Sequence, residues 1–166
     1  VFDEVLAGAC DIGFVETPLA RKDLHATVVA DDHLVVVVAP EHPWAGREEP
    51  LDPGELARTP LVVREGGSGT RDAFEELLPA AASTPPVQEL GSNAAVRFAV
   101  ASGAGPAVLS MLAVRSSLEA GQLYRVPVAG ERLRRLLTAV WSGPRRLSGP
   151  AAELVAVASA AARDGR

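Results

Sequence analysis

A chain of 166 residues, 48% hydrophobic and 22% charged, is long enough for one ordinary domain or two small lobes, and its core needs no disulfide or metal staple. A formal net charge of −5 offers no basic footprint for nucleic acid, no apolar run is long enough to span a bilayer, and one cysteine excludes an internal disulfide. That cysteine, Cys10, sits in an apolar stretch and is expected to be a buried, inert thiol of a protein in a reducing compartment.

The chain opens in a helical pattern. Val1, Phe2, Val5 and Leu6 share one face and Gly8 is a natural stop, so the chain reads as one that begins inside a fold. Residues 11–15 (DIGFV) predict a short strand that ends in the polar turn Glu16-Thr17-Pro18. Residues 24–30 predict a second strand. Residues 34–39 (LVVVVA) predict a third, buried on both faces because it is apolar at every position. After a proline-rich loop, residues 52–57 predict a short helix that Asp52 caps and Pro53 begins. Residues 60–65 predict a strand, followed by the glycine-rich REGGSGTR and a helix over 71–78 with Phe74, Leu77 and Leu78 as its apolar stripe. Residues 79–86 are a loop or linker and 87–91 a strand. The helix over 92–103 has Ser92 at its N-cap and Gly103 past its end. A strand at 107–110, a helix at 111–121, strands at 123–128 and 132–141, and an alanine-rich helix at 148–162 complete the chain. This alternation predicts an α/β fold with mostly parallel sheets.

The loop at 64–71 carries the chemical question. A phosphate loop needs Lys then Ser or Thr after its last glycine, and here Gly69 is followed by Thr70 and Arg71. A nucleophile elbow needs a glycine two residues after the serine, where Thr70 stands, and no histidine follows His42 to serve as base. His25, His33 and His42 lack metal-ligand spacing. Glu75 and Glu76 fit the outer face of a helix, and the charges of RLRR fit a strand that turns them outward. What remains is a turn in which small residues let backbone N–H groups converge. Ser68 and Thr70 add hydroxyls and Arg71 adds charge, with Asp72 working against strong anion affinity. The competing reading is a turn that only caps a helix. Ser92-Asn93 opens the next helix in the same way, and Glu16-Thr17-Pro18 follows the carboxyl end of a strand, where ligands of open α/β sheets bind.

The succession LAGACDIGFVETP, DDHLVVVVAPEHPWA, LARTPLVVREGGSGTR, LGSNAAVRFAVASGAGPAVLS, AGQLYRVPV and LTAVW resembles, nearly end to end, the effector-binding domain of LysR-type transcriptional regulators. GSGTR followed by LGS is most similar to the branch that regulates sulfur and nitrogen metabolism or carbon-fixation genes. The resemblance implies a periplasmic-binding-protein-like fold of type II, two α/β lobes joined by two crossover strands with a small effector bound between them. Lobe one would hold residues 1–59 and 131–166, and lobe two residues 60–130. The implied effector-binding residues are Thr17 and Pro18; Gly67, Ser68, Gly69 and Thr70; and Ser92, Asn93 and Phe98. Set against the family, the chain is expected to lack the winged helix-turn-helix and the first strand–helix–strand unit of the effector domain, a piece of roughly 30 or more residues. The resemblance therefore implies a cytoplasmic sensor and not an enzyme. It would need no cofactor, metal or membrane, would assemble as a dimer or tetramer in the full-length protein, and would reach DNA only through the missing domain. A solute-binding protein of a transport system is the alternative on the same fold, and an enzyme on this fold ranks behind it for want of a nucleophile–base pair or metal set.

Overall fold

The computed structural model describes residues 1–16, 21–75, 84–130 and 133–164. The expected site residues Thr17 and Pro18, the helical positions Glu76, Leu77 and Leu78, the loop at 79–83 and Arg132 lie outside the described residues.

The chain divides into two units, residues 1–32 with 134–166, and residues 33–133. Two strands run through the division: β2 (His25–Val38) and β7 (Leu133–Trp141). In the first unit, α1 (Phe2–Leu6) precedes β1 (Gly13–Val15), and α6 (Gly149–Asp164) ends the chain. β1 lies antiparallel to β7, with Gly13 opposite Val140 and Val15 opposite Thr138. Gly13 is needed there: a Cβ would stand 2.5 Å from Val1 Cγ1 and 3.1 Å from Val5 Cγ2. Of the apolar positions of α1, only Val5 is fully buried. Cys10 is exposed, contrary to the sequence expectation. The helix stops at Leu6, Gly8 turns the backbone at φ +71°, and Cys10 falls in the surface turn that follows.

The second unit shows how the valine run folds. Along β2, alternate residues face opposite sides. Leu34, Val36 and Val38 join Leu56 of α2 (Pro53–Ala57), Phe74 of α3 (Gly69–Glu75), Val108 and Val126 in one cluster. Val35 and Val37 join Val96 and Val100 of α4 (Asn93–Ala101), Leu109 of β5 (Ala107–Ser110) and Val114 of α5 (Met111–Glu119) in another. The expected burial on both faces is thus met by helices on either side. β2 pairs antiparallel with β5 along one edge and with β6 (Tyr124–Val126) along the other, where Val36 sits opposite both Val108 and Val126. β3 (Val62–Arg64) pairs in parallel with β4 (Gln88–Leu90) and takes a further bond from Val62 N to Pro106 O at 2.8 Å.

Two further sequence expectations change. The strands expected at 24–30 and 34–39 are one strand of 14 residues. Asp31, Asp32 and His33 read as a break, yet they stay extended and Asp32 is only 1% exposed. The described pairings of the large sheet are antiparallel, not parallel. Strand–helix alternation limits connections but does not fix direction, and β2 meets partners that return along it. Leu34, Val36, Val38 and Leu56 lie in the core of the second unit.

The α2 cap is as the sequence predicts. Asp52 Oδ1 accepts from Gly54 N at 2.8 Å and from Glu55 N at 3.1 Å. Asp52→Ala is expected to cost about 1 kcal/mol, read as a lower urea midpoint with an unchanged denaturant slope.

Candidate functional site

The candidate surface lies on the second unit, where the carboxyl ends of β3 and β4 lead into loops. Glu65 leaves β3 with its N–H bonded to Leu90 O at 3.2 Å. Gly67 then turns the chain at φ +79°, a conformation that excludes most side chains. Ser68 N returns to Glu65 O at 3.2 Å, and α3 begins at Gly69. Ser68 and Thr70 are buried, Thr70 to 2% exposure. Beneath them lies a void of about 10 Å³ beside Arg64, Thr70 and Phe74, enough for a water molecule and no larger ligand.

α4 starts as the sequence predicts. Ser92 Oγ accepts from Ala95 N at 3.1 Å, and the helix closes at Ser102 and Gly103. Asn93, its first residue, holds the side chain that meets the loop: Arg64 Nη1 donates to Asn93 Oδ1 at 2.6 Å. One arginine at the end of β3 therefore ties the glycine-rich turn to the start of α4.

The positive charges of this surface are already engaged. Arg64 forms a two-pronged pair with the next residue, Nε to Glu65 Oε2 and Nη2 to Glu65 Oε1, both 2.7 Å. The guanidinium beside it holds the Glu65 carboxyl down to about 2. Arg71 donates to Glu75 and Glu89 at 2.7 Å each, and its Nη1 reaches Arg64 O at 3.1 Å. Glu75 and Glu89 in turn raise the Arg71 pKa. Arg71 is a brace between α3, β3 and β4 rather than an open anion donor.

Of the expected site residues, Asn93 is tied through Arg64 to the end of β3, from which the glycine-rich turn runs, and Ser92 precedes it as the N-cap. Phe98 is elsewhere. It stands five positions beyond Asn93, roughly 140° round the helix axis, and is 75% exposed. It borders a groove of about 830 Å³ with Pro40, Arg97, Ala101, Ser116 and Gln122. Arg97 Nη1 donates to Ala113 O at 2.8 Å and joins α4 to α5 beside that groove.

Arg64 is the residue that the sequence reading passed over. It stood in the stretch that drew attention, but the glycines carried the argument. An acid–base dipeptide at the carboxyl end of a strand was the available signal. The histidines have separate duties: His42 Nδ1 accepts from Trp44 N at 3.1 Å, and burial lowers its pKa, favouring the neutral ring. His25 Nε2 pairs with Gly143 O at 3.0 Å. Among the described residues, no group of three His, Cys, Asp or Glu could hold a metal ion, and no helix is long and apolar enough to cross a membrane.

Residues 1–163 match the LysR substrate binding domain family. The chain belongs to that family. The LysR substrate-binding domain described here is 47% identical over 143 residues to an HTH-type transcriptional regulator of Mycobacterium tuberculosis, covering 83% of this chain and 46% of the relative. It is 34% identical over 156 residues to the RuBisCO operon transcriptional regulator of Acidithiobacillus ferrooxidans, covering 93% and 50%. The domain spans about half the length of the curated relatives it matches. Among solved structures it is similar to the Synechocystis CcmR regulatory domain in complex with 2-PG, with a TM-score of 0.82 and 26% identity over 98% of this chain and 78% of that one. The fold is the type II periplasmic-binding-protein-like fold of these regulatory domains.

Proposed function

We propose that this chain is the effector-sensing part of a bacterial LysR-type transcriptional regulator and that it takes a small anionic metabolite. The observation that supports the reading is the Arg64–Asn93 bond, which links the end of β3, where the 66–70 turn begins, to the start of α4. The likeness to a regulatory domain in complex with 2-PG supports a ligand of that kind. Gly67, Ser68, Gly69, Thr70, Ser92 and Asn93 form the binding surface in this proposal. Phe98 is set apart, because it opens onto a groove of its own.

The effector acts by favouring one of the regulator's conformations, which it can do only to the extent that it binds that conformation more tightly. DNA is reached through a helix-turn-helix domain in the whole protein, which works as a cytoplasmic homo-oligomer. Relatives named as transcriptional regulators favour this sensor over a transport protein or an enzyme.

The test is thermal unfolding against a broad metabolite panel that includes 2-PG, carboxylates and sulfate. A ligand at 100 times its Kd adds about 2.7 kcal/mol, which is on the order of 5–10 °C for a chain of this length. Thr70→Ala is expected to shrink that ligand-induced shift at equal ligand concentration. If no compound on a broad panel moves the transition, the sensor reading is wrong.

A further inference from the structure

We propose that Arg64 is the anion-recognising residue of this surface and that Glu65 is its resident counter-ion, displaced when an anionic ligand arrives. The inference rests on the sensor reading above and names the ligand chemistry and its control.

The two partners of the pair are held very differently. Arg64 is 16% exposed and anchored at both ends. Its guanidinium is bonded to Asn93, and its backbone carbonyl is gripped by Arg71. Glu65 is fixed through its backbone by Leu90 O and Ser68 N, while its side chain is 41% exposed and bonded to Arg64. The carboxylate can swing into water by rotating one side chain, whereas moving the guanidinium would break the link between β3 and α4. Exchange therefore removes Glu65 and leaves Arg64 in place.

The atoms Glu65 occupies are the ones an oxyanion would need. Nε and Nη2 of a guanidinium present two parallel N–H bonds that match the oxygen spacing of a carboxylate, sulfate or phosphate. The Glu65 carboxylate already satisfies that geometry at 2.7 Å on both prongs, so it is a copy of the ligand chemistry the fork suits. Arg71 is a poor rival for this role, because its charge is divided between Glu75 and Glu89.

Charge explains why the exchange matters. Among the described residues, Arg64 and Arg71 pair with three carboxylates while Glu65 is in place, so an incoming anion meets like charge. Once Glu65 has turned away, the anion meets a preorganised fork. Neutral metabolites gain nothing from that exchange, so Glu65 selects for anions and sets their affinity.

The probe is inorganic sulfate, which stays dianionic over most of the acid range in which Glu65 would titrate. Sulfate binding to the full chain is followed by the Arg64 Nε–H resonance, with Glu65→Gln, Arg64→Lys and Arg64→Gln as variants. Glu65→Gln is expected to tighten sulfate about tenfold, since a like charge is removed at close range. Arg64→Lys keeps the charge, loses the fork and weakens binding. Arg64→Gln abolishes it. Saturating sulfate is also expected to raise the Glu65 carboxyl midpoint from about 2 towards the ordinary carboxylate range, a change that a purely structural Arg64 would not produce. Unchanged affinity in Glu65→Gln, an unmoved Glu65 midpoint, or no sulfate binding in either protein overturns the exchange. If the exchange fails while the metabolite panel finds a neutral ligand, the sensor reading stands alone. If sulfate exchanges with Glu65 but no metabolite binds, the sensor reading fails instead.

Discussion

Leu109→Ala is expected to destabilise the second unit by about 2–5 kcal/mol, the range for emptying a fully buried leucine site. Leu109 lies in β5 opposite Val35 and has no exposed surface. Its cluster draws on β3 through Val62, on α4 through Val96 and Val100, and on α5 through Val114. Those neighbours are strand- and helix-borne valines with little rotamer freedom, so they cannot collapse far into the space left behind. The loss should therefore fall near the upper half of the range. β3 and α4 are also the elements that meet at Arg64 and Asn93, so the variant is expected to weaken effector binding without touching the ligand. Urea unfolding followed by Trp44 emission, with Trp141 replaced by Phe, reads the second unit. A midpoint within the scatter of the parent protein would mean that this cluster does not seat β3 and α4.

Trp141→Ala is expected to cost about 3–5 kcal/mol in the first unit. Trp141 closes β7 with its indole buried. Nε1–H donates to Pro144 O at 2.9 Å, and the ring lies 5.7 Å from that of His25. His25 Nε2–H in turn donates to Gly143 O at 3.0 Å, so both rings pin the turn at 143–144. Trp141→Phe keeps a ring and loses one hydrogen bond, and should cost on the order of 1 kcal/mol from that bond. Amide exchange along the β1–β7 ladder, at Gly13–Val15 and Thr138–Val140, is the direct measurement. Much faster exchange in the alanine variant and a smaller increase in the phenylalanine variant are expected. Equal exchange in all three would show that the indole does not hold this ladder.

The candidate site was partly legible from local chemistry. Ser92 as an N-cap followed from its type and from the apolar run after it, and the bond to Ala95 N agrees. Gly67 at a turn followed from its place in a glycine pair, and its φ of +79° agrees. The pairings of Arg64 and Arg71 were not legible, because Asn93 lies 29 positions from Arg64 and Glu89 lies 18 from Arg71. Phe98 was grouped with Asn93 by the family resemblance; it lies five positions along the helix, on another face, and borders a groove of its own. Cys10 was judged by apolar neighbours that themselves sit in an exposed turn.

By itself the sequence determined the elements whose causes are local: the capped helices at Asp52 and Ser92, the two-sided burial of the valine run, and the succession of segments that marks the LysR substrate-binding domain. Caps and side-chain alternation act within a few residues, so neighbours suffice to read them. Only the tertiary structure decided that β2 runs unbroken past Asp31 and Asp32, that its described partners are antiparallel, and that Arg64 joins a turn to a distant helix. Strand direction and charge pairing depend on which segments meet in space, and a run of residues does not encode that meeting one segment at a time.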